Sequence, residues 1–356
     1  MAITFINPPA QNTPVLTSEL YALKATTDVP KVPVEIIRDP AGDSDCFFET
    51  ILYPSADGIV EFSDIGSLIE DHFRDKLIIW DTIEIRFDRE PVSFTALYCD
   101  YMLDVDFDCT ACFLSAAGSS FVHRNSAISL SHCDLGLSDY LLRIVGHDDS
   151  GNIASVTRTV SRQKTSFDVS FPVNEIIDLA LAPADGGDRL ATVSYFSISY
   201  ASIQKVFWLV DHPFFLTFGF RNMFNAFEYV DIVGILSRKT TVDSDTAICA
   251  GRTRQYNHTV ARQYEIQTAP LTDEQVKEIE QLIASRNIIL CAGDYDYKVI
   301  ITDPTVEIDN DDESLSSIKF TFRFVDGRPR LISSEMGALM PSYSHIFTHE
   351  FTQEFA

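Results

Sequence analysis

The sequence predicts a mainly β protein with an α+β C-terminal part: stacked β-sandwich-like modules with two main helices. Three observations predict it. Aromatic residues make up 12% of the 356 positions, with Phe alone at 26, and such side chains favour pleated, half-buried surfaces. Short runs alternate with a period of two; in SIKFTFRF, Ile318, Phe320, Phe322 and Phe324 alternate with Lys319, Thr321 and Arg323, which implies one buried and one wet face. Residues 206–239, VFWLVDHPFFLTFGFRNMFNAFEYVDIVGILSRK, form an aromatic stretch broken at Asp211-His212-Pro213, Gly219, Arg221-Asn222 and Gly234. These breaks cut it into packed strands rather than a membrane helix.

Taken in order, residues 1–31 read as an N-terminal arm, rich in Pro and Thr and weakly periodic. Residues 32–90 read as a β-rich module with one helix. Its strands are VPVEII, CFFETILYP and GIVEF, followed by a helix capped by Ser63 or Asp64 with Ile65, Leu68, Ile69 and Phe73 on one face. A clean strand follows, with Ile83, Ile85 and Phe87 facing one way.

Residues 91–181 read as a β-sandwich-like module without a three-turn helix. Asp149-Ser150-Gly151-Asn152 can turn a hairpin within YLLRIVGHDDSGNIASVTRTV. The Pro/Gly/Asp run 182–188 reads as a linker. Residues 189–330 read as an α+β module whose best-specified element is TAPLTDEQVKEIEQLIASRN. There Thr272 is the N-cap and Gln275 completes a capping box. Leu271 and Val276 make a hydrophobic staple, Val276, Ile279, Leu282 and Ile283 form the buried stripe, and Asn287 ends the helix. In the tail, 331–356, Phe347, Phe351 and Phe355 lie four apart, one stripe of a helix that needs a partner surface.

Charge and targeting narrow the function classes. The chain carries 27 Lys and Arg against 52 Asp and Glu, a net charge of −25. Nucleic acid and anionic lipid are therefore poor partners for the chain as a whole. There is no apolar run of 18 residues, so no membrane insertion is expected, and MAITFINPPA lacks the basic and apolar regions of a secretory leader. Cytoplasmic synthesis with reduced thiols is expected for the seven cysteines at 46, 99, 109, 112, 133, 249 and 291.

Motifs for catalysis are missing: no nucleophile elbow, zincin helix, phosphate loop or dinucleotide fingerprint occurs. No catalytic, cofactor-binding or metal-ligating residue is assigned and no cofactor is expected. Cys109 and Cys112 form a CxxC near Cys99, His123, His132 and Cys133, but a strand-like context would turn residues three apart to opposite sides, so buried cysteines are expected rather than zinc ligands. Asp104, Asp106 and Asp108 would line one face of a strand and offer oxygen ligands to calcium. They and the cluster Asp309, Asp311, Asp312 and Glu313 lack the glycine and distal Glu of a calcium loop, and solvated turns or edge protection are expected. His212 reads as a turn histidine at the rim of the aromatic core.

One local charge inversion stands out. Arg238, Lys239, Arg252, Arg254, His258 and Arg262 face only Asp243 and Asp245 in sequence, and in so acidic a chain they read as a docking face for an acidic copy or neighbour. The expected interaction residues are therefore Arg238, Lys239, Arg252, Arg254, Arg262, Phe347, Phe351 and Phe355.

The segments FFLTFGFRNMFNAFEYVDIVG and ARQYEIQTAPLTDEQVKEIEQLIASRNI resemble uncharacterised structural proteins of phages and prophages of gut bacteria. The resemblance covers roughly the 189–330 module, and the layout of β modules around it is similar to that of tail-tip and baseplate components, in which β-sandwich modules stack into rings. It implies a non-enzymatic structural or assembly protein whose partners are copies of itself and other structural proteins, made in the cytoplasm and incorporated into a virion or phage-like particle. The alternative is a carbohydrate-binding or adhesion β-sandwich, with Tyr195, Tyr200, Tyr295 and Tyr297 as candidate stacking residues.

Overall fold

The computed structural model describes residues 3–11, 13–39, 45–103, 108–109, 112–133, 139–160, 168–181, 190–200, 202–212, 215–292, 295–305 and 316–325. It is mainly β with three α-helices among these residues, and the chain divides into two units. One comprises Met1–Leu114 with His132–Asp134 and Asn222–Ala226; the other comprises Ser115–Ser131, Leu135–Arg221 and Phe227–Ala356.

In the first unit the chain forms β1 (Thr4–Phe5), β2 (Val15–Leu16), β3 (Ala22–Thr26), β4 (Val32–Arg38), β5 (Asp45–Leu52), β6 (Ile59–Ser63), α1 (Ile65–Lys76), β7 (Trp80–Phe87) and β8 (Glu90–Leu97). Strands β1, β3 and β6 make one sheet, in that order, and β2, β8, β7, β4 and β5 make another. Alternation decides the inward faces. Val32, Val34 and Ile36 of β4 and Ile83, Ile85 and Phe87 of β7 are buried, and they join Leu23 and Ala25 of β3 in one core. Helix α1 contributes Ile65, Ile69 and Phe73 to that core. Its N-cap Asp64 has φ 60° and makes no side-chain cap, and Leu77 stops the helix at φ 57°. Packing of the apolar stripe therefore holds α1 more than its caps do.

The segment expected to be an arm contributes three strands to this unit, and Leu16, Leu23 and Ala25 are buried. These strands are two to five residues long, too short for periodicity to announce them. The division expected at 90–91 falls in the β7–β8 hairpin, whose turn holds Asp88 at φ 56° and whose register pairs Phe87 with Glu90. Asp88-Arg89 is the two-residue turn of that hairpin, and Glu90 and Pro91 already belong to β8.

The second unit contains β9 (Ser119–His123), β10 (Ala127–Ser131), β11 (Tyr140–His147), β12 (Ile153–Val160), β13 (Asp168–Pro172), α2 (Val173–Leu181), β14 (Thr192–Tyr200), β15 (Ile203–Val210), β16 (Leu216–Arg221), β17 (Phe227–Ile232), β18 (Gly234–Cys249), β19 (Arg252–Thr268), α3 (Asp273–Ala284), β20 (Ile288–Ala292), β21 (Tyr295–Thr305) and β22 (Lys319–Phe324). Its sheets run β12-β11-β14-β15-β9 and β17-β16-β20-β21-β22-β19-β18, with β10 and β13 as a separate pair. Because β14 pairs with β11 and β15 with β14, one five-stranded sheet crosses the division expected between 181 and 189.

The β11–β12 hairpin turns as expected. Gly151 supplies φ 81°, and the Asp148 side chain accepts from the Ser150 and Asn152 amides at 2.8 Å each. Helix α3 has the full capping box at Thr272 and Gln275, and it buries Val276, Ile279 and Leu282 against Phe218, Phe220, Leu290, Phe320 and Phe322. It ends at Ser285 rather than Asn287, because Ser285 turns to an extended φ −67°, ψ 140°. Helix α2, a third helix beyond the two expected, is nine residues long and buries Val173, Ile176, Ile177 and Ala180. Among the described residues no helix is long and apolar enough to cross a membrane.

Candidate functional site

Two features of the second unit stand apart from ordinary packing. The first is the β18–β19 hairpin, of 16 and 17 residues. Its neighbour β22 pairs with β19 only from Tyr264 to Gln267, so from Thr240 outward the hairpin is a two-stranded ribbon among the described residues. At ~3.4 Å per residue, Thr240 to Cys249 extends about 30 Å. Its tip is a two-residue turn: Ala250 at φ 52° and Gly251 at φ 74° join Cys249 to Arg252, the two left-handed positions that match the twist of a hairpin. A bulge between Ser244 and Asp245 adds twist.

Register assigns the faces of the ribbon, because cross-strand partners share a side. Leu236 pairs with Ile266 and Arg238 with Tyr264; Ile266 and Tyr264 are core residues. The core-side face therefore continues outward through Thr240 and Arg262 to Val242, and beyond the bulge to Ile248. Val242 is 55% exposed and Ile248 77%, an apolar line carried past the edge of its own core. Lys239, Arg252 and Arg254 lie on the opposite face. The basic residues are thus all on one arm, but split between its two sides, with Arg238 and Arg262 on the core side. Phe347, Phe351 and Phe355, the other expected interaction residues, lie outside the described residues.

The second feature is a buried polar network. Lys205 of β15 and Glu228 of β17 pair at 3.1 Å, and Lys205 lies 3.8 Å from Glu278 of α3. All three are buried. The Lys205 ammonium donates to Ser115 Oγ, whose hydroxyl donates to Glu228 Oε1, and the Ala116 amide donates to Glu228 Oε2 at 3.0 Å. The Ser120 hydroxyl donates to Glu278. One ammonium thus serves two carboxyls. Burial pushes the Glu278 carboxyl up to about 8 against the pull of Lys205 and Ser120, with Glu228 and Asp231 adding to the rise. It holds a proton at neutral pH, which leaves Lys205 and Glu228 as a charge-matched pair.

Beside this network lies a cavity of about 280 Å³, walled by Phe121, Val210, Phe215, Val230 and Ile279 and bordered by His123, Asp231 and Glu278. The His123 ring stacks on Phe215 with centroids 3.7 Å apart, and Nδ1 accepts from the Asn125 amide. Burial lowers the His123 pKa, so the ring is neutral and Nε2 carries the proton. Asp231 accepts from the Thr217 hydroxyl at 2.5 Å and from the His123 amide at 2.6 Å. Burial raises it to about 6, opposed by those donors and by the Ser126 hydroxyl.

The network was missed by motif reading but leaves a trace in parity. Ile203, Lys205 and Phe207 point inward together on β15, as do Glu228, Val230 and Ile232 on β17. Glu278 stands one residue from Ile279 and four from Leu282 on the core side of α3. A charge at an inward position was the available signal.

The other sequence candidates behave as packing. Cys109 and Cys133 sit with Cys99 in an apolar cluster of the first unit, where the hydrogen bond from Cys133 lowers the Cys109 pKa. Cys112 is half-buried, with its thiol 3.7 Å from the Asp108 carbonyl. The strand context expected there is not formed by the described residues, which lie in a loop. Asp104, Asp106 and 309–313 lie outside the described residues, and among those described no group of three or more His, Cys, Asp or Glu is placed to hold a metal ion. Tyr200 is fully buried against Tyr140, Tyr297 packs on Phe324, and the Tyr295 side chain lies outside the described residues. Tyr195 is half-buried and meets Trp208 at 4.8 Å. No protein-family model matches the chain, and no curated protein does.

Proposed function

We propose that this chain is a non-enzymatic structural protein of phage-tail or baseplate type, which assembles with copies of itself and with other structural proteins. The observation that carries the reading is the β18–β19 arm. A two-stranded ribbon is marginal in water by itself, and its free edges offer unpaired backbone groups to another chain. This one carries exposed Val242 and Ile248 on one side and Lys239, Arg252 and Arg254 on the other. In a chain at −25, a basic arm complements the surface of a second copy. Strand addition or edge docking would cover the apolar line and pair the arm's charges.

Excision of the arm tests the reading. Lys239 and Gln263 are paired, so residues 240–262 can be replaced by an Asn-Gly turn without disturbing the sheet below. In sedimentation velocity the intact chain should associate as its concentration rises and the shortened chain should remain monomeric. Identical sedimentation of the two would refute the assignment.

One observation favours a second reading, carbohydrate binding. Trp208 is 42% exposed and pairs with Tyr195 across β14 and β15, an aromatic pair whose exposed indole face could stack on a sugar ring. Glycan-array binding lost in Trp208→Ala would support it, and a silent array would dispose of it.

A further inference from the structure

The cavity of the second unit has a chemistry that packing does not require. Its walls are apolar and aromatic, and among its lining residues there is no Lys or Arg. Yet Asp231 lines it. The groups that donate to this carboxyl are neutral, the Thr217 hydroxyl to one oxygen and the His123 amide to the other. The ammonium of Lys205 is directed at Glu228, Glu278 and Ser115 instead. A donor on each oxygen is the solvation of a carboxylate, not of a neutral acid, so the site holds a negative charge with no countercharge among the residues that line it. An anionic occupant would meet the Asp231 carboxylate and is excluded. A bare metal ion would need several converging ligands, and none converge among the described residues.

What fits is an organic cation: a hydrogen-bonding ammonium for Asp231 on an apolar body for the walls. Scaled from the ~150 Å³ that holds benzene, 280 Å³ takes about ten non-hydrogen atoms. Phe121 and Phe215 supply aromatic faces that attract both a flat ring and a cation. We propose that this cavity binds a small arylalkylammonium ion, its nitrogen on the Asp231 carboxylate and its ring against Phe121 and Phe215. This goes beyond the assembly reading and stands whether or not the arm docks.

Calorimetric titration of the full chain near pH 7.5 tests it with three probes of one shape: 2-phenylethylamine, neutral 2-phenylethanol and anionic 3-phenylpropionate. The amine should bind saturably below about 10 mM, at least about tenfold more tightly than the alcohol, and the acid should not bind. Asp231→Asn should weaken the amine about tenfold or more and leave the alcohol unchanged. Val233→Phe, which fills the cavity and keeps Asp231, should abolish binding of both while thermal unfolding stays cooperative. The proposal is overturned if the alcohol binds as tightly as the amine, if no saturable amine binding occurs, or if amine binding survives Val233→Phe. Should Asp231→Asn fail to fold, the probe series and Val233→Phe decide the matter alone.

Discussion

At the scale of single residues, the second unit keeps a pair of opposite charges in its interior at 3.1 Å and holds a third group neutral beside them. Removing one partner of such a pair strands the other. Lys205→Met should therefore cost about 3–5 kcal/mol, because the buried Glu228 carboxylate would lose the ammonium that it pairs with at 3.1 Å. Denaturant titration of the variant would measure it, and a loss within error of zero would contradict the network. Glu278 gives a separate prediction. Its carboxyl is raised from an ordinary 4.5 to about 8, so the folded chain binds more protons than the unfolded one across that interval. Its contribution thus weakens stability progressively as pH climbs from about 4.5 to 8. Glu278→Gln keeps the shape without the titration. The melting temperature of the variant should gain on that of the parent as pH increases through this window, and parallel curves would count against the buried acid. None of these groups forms a recognisable motif. Lys205 and Glu228 were legible only as charges standing in inward phase of their strands, and their partners come from segments far away in sequence.

At the scale of elements, the sequence foretold what local chemistry decides and missed what distance decides. The alternation of β7 and of β22 and the capping box of α3 are local patterns, and each appears as read. The short strands β1, β2 and β3 hold no period of their own; pairing with β6 and β8 makes them strands. Helix α2 is short, and its nine residues could not outvote the strand pattern before it. The basic cluster was legible as composition, but the register that divides it between two faces of a ribbon was not. That register makes a specific prediction for the arm. Arg252→Glu with Arg254→Glu reverses the charge on one face, and Ile248→Asp interrupts the apolar line on the other. On the proposed reading each should weaken association about tenfold or more in sedimentation equilibrium, since each strikes an independent face. All three positions are exposed, so melting temperatures should move little. Association equal to that of the parent in both variants would leave the arm without a role.

At the scale of the whole molecule, the chain is strongly acidic while its longest hairpin is basic, so attraction between copies is expected to be electrostatic at long range. Association should fall as salt is raised from about 0.05 to 0.5 M, because an exposed arm is screened. The apolar line of Val242 and Ile248 should keep part of the affinity at high salt, being insensitive to screening. The most direct measurement is amide hydrogen exchange along Thr240–Cys249, followed as protein concentration crosses the association midpoint. Assembly through the arm predicts that these amides exchange quickly in dilute solution and become protected in step with association, while the amides of β16 and β20 do not change. Exchange along the arm that stays the same at every concentration, in a chain that nonetheless associates, would contradict it.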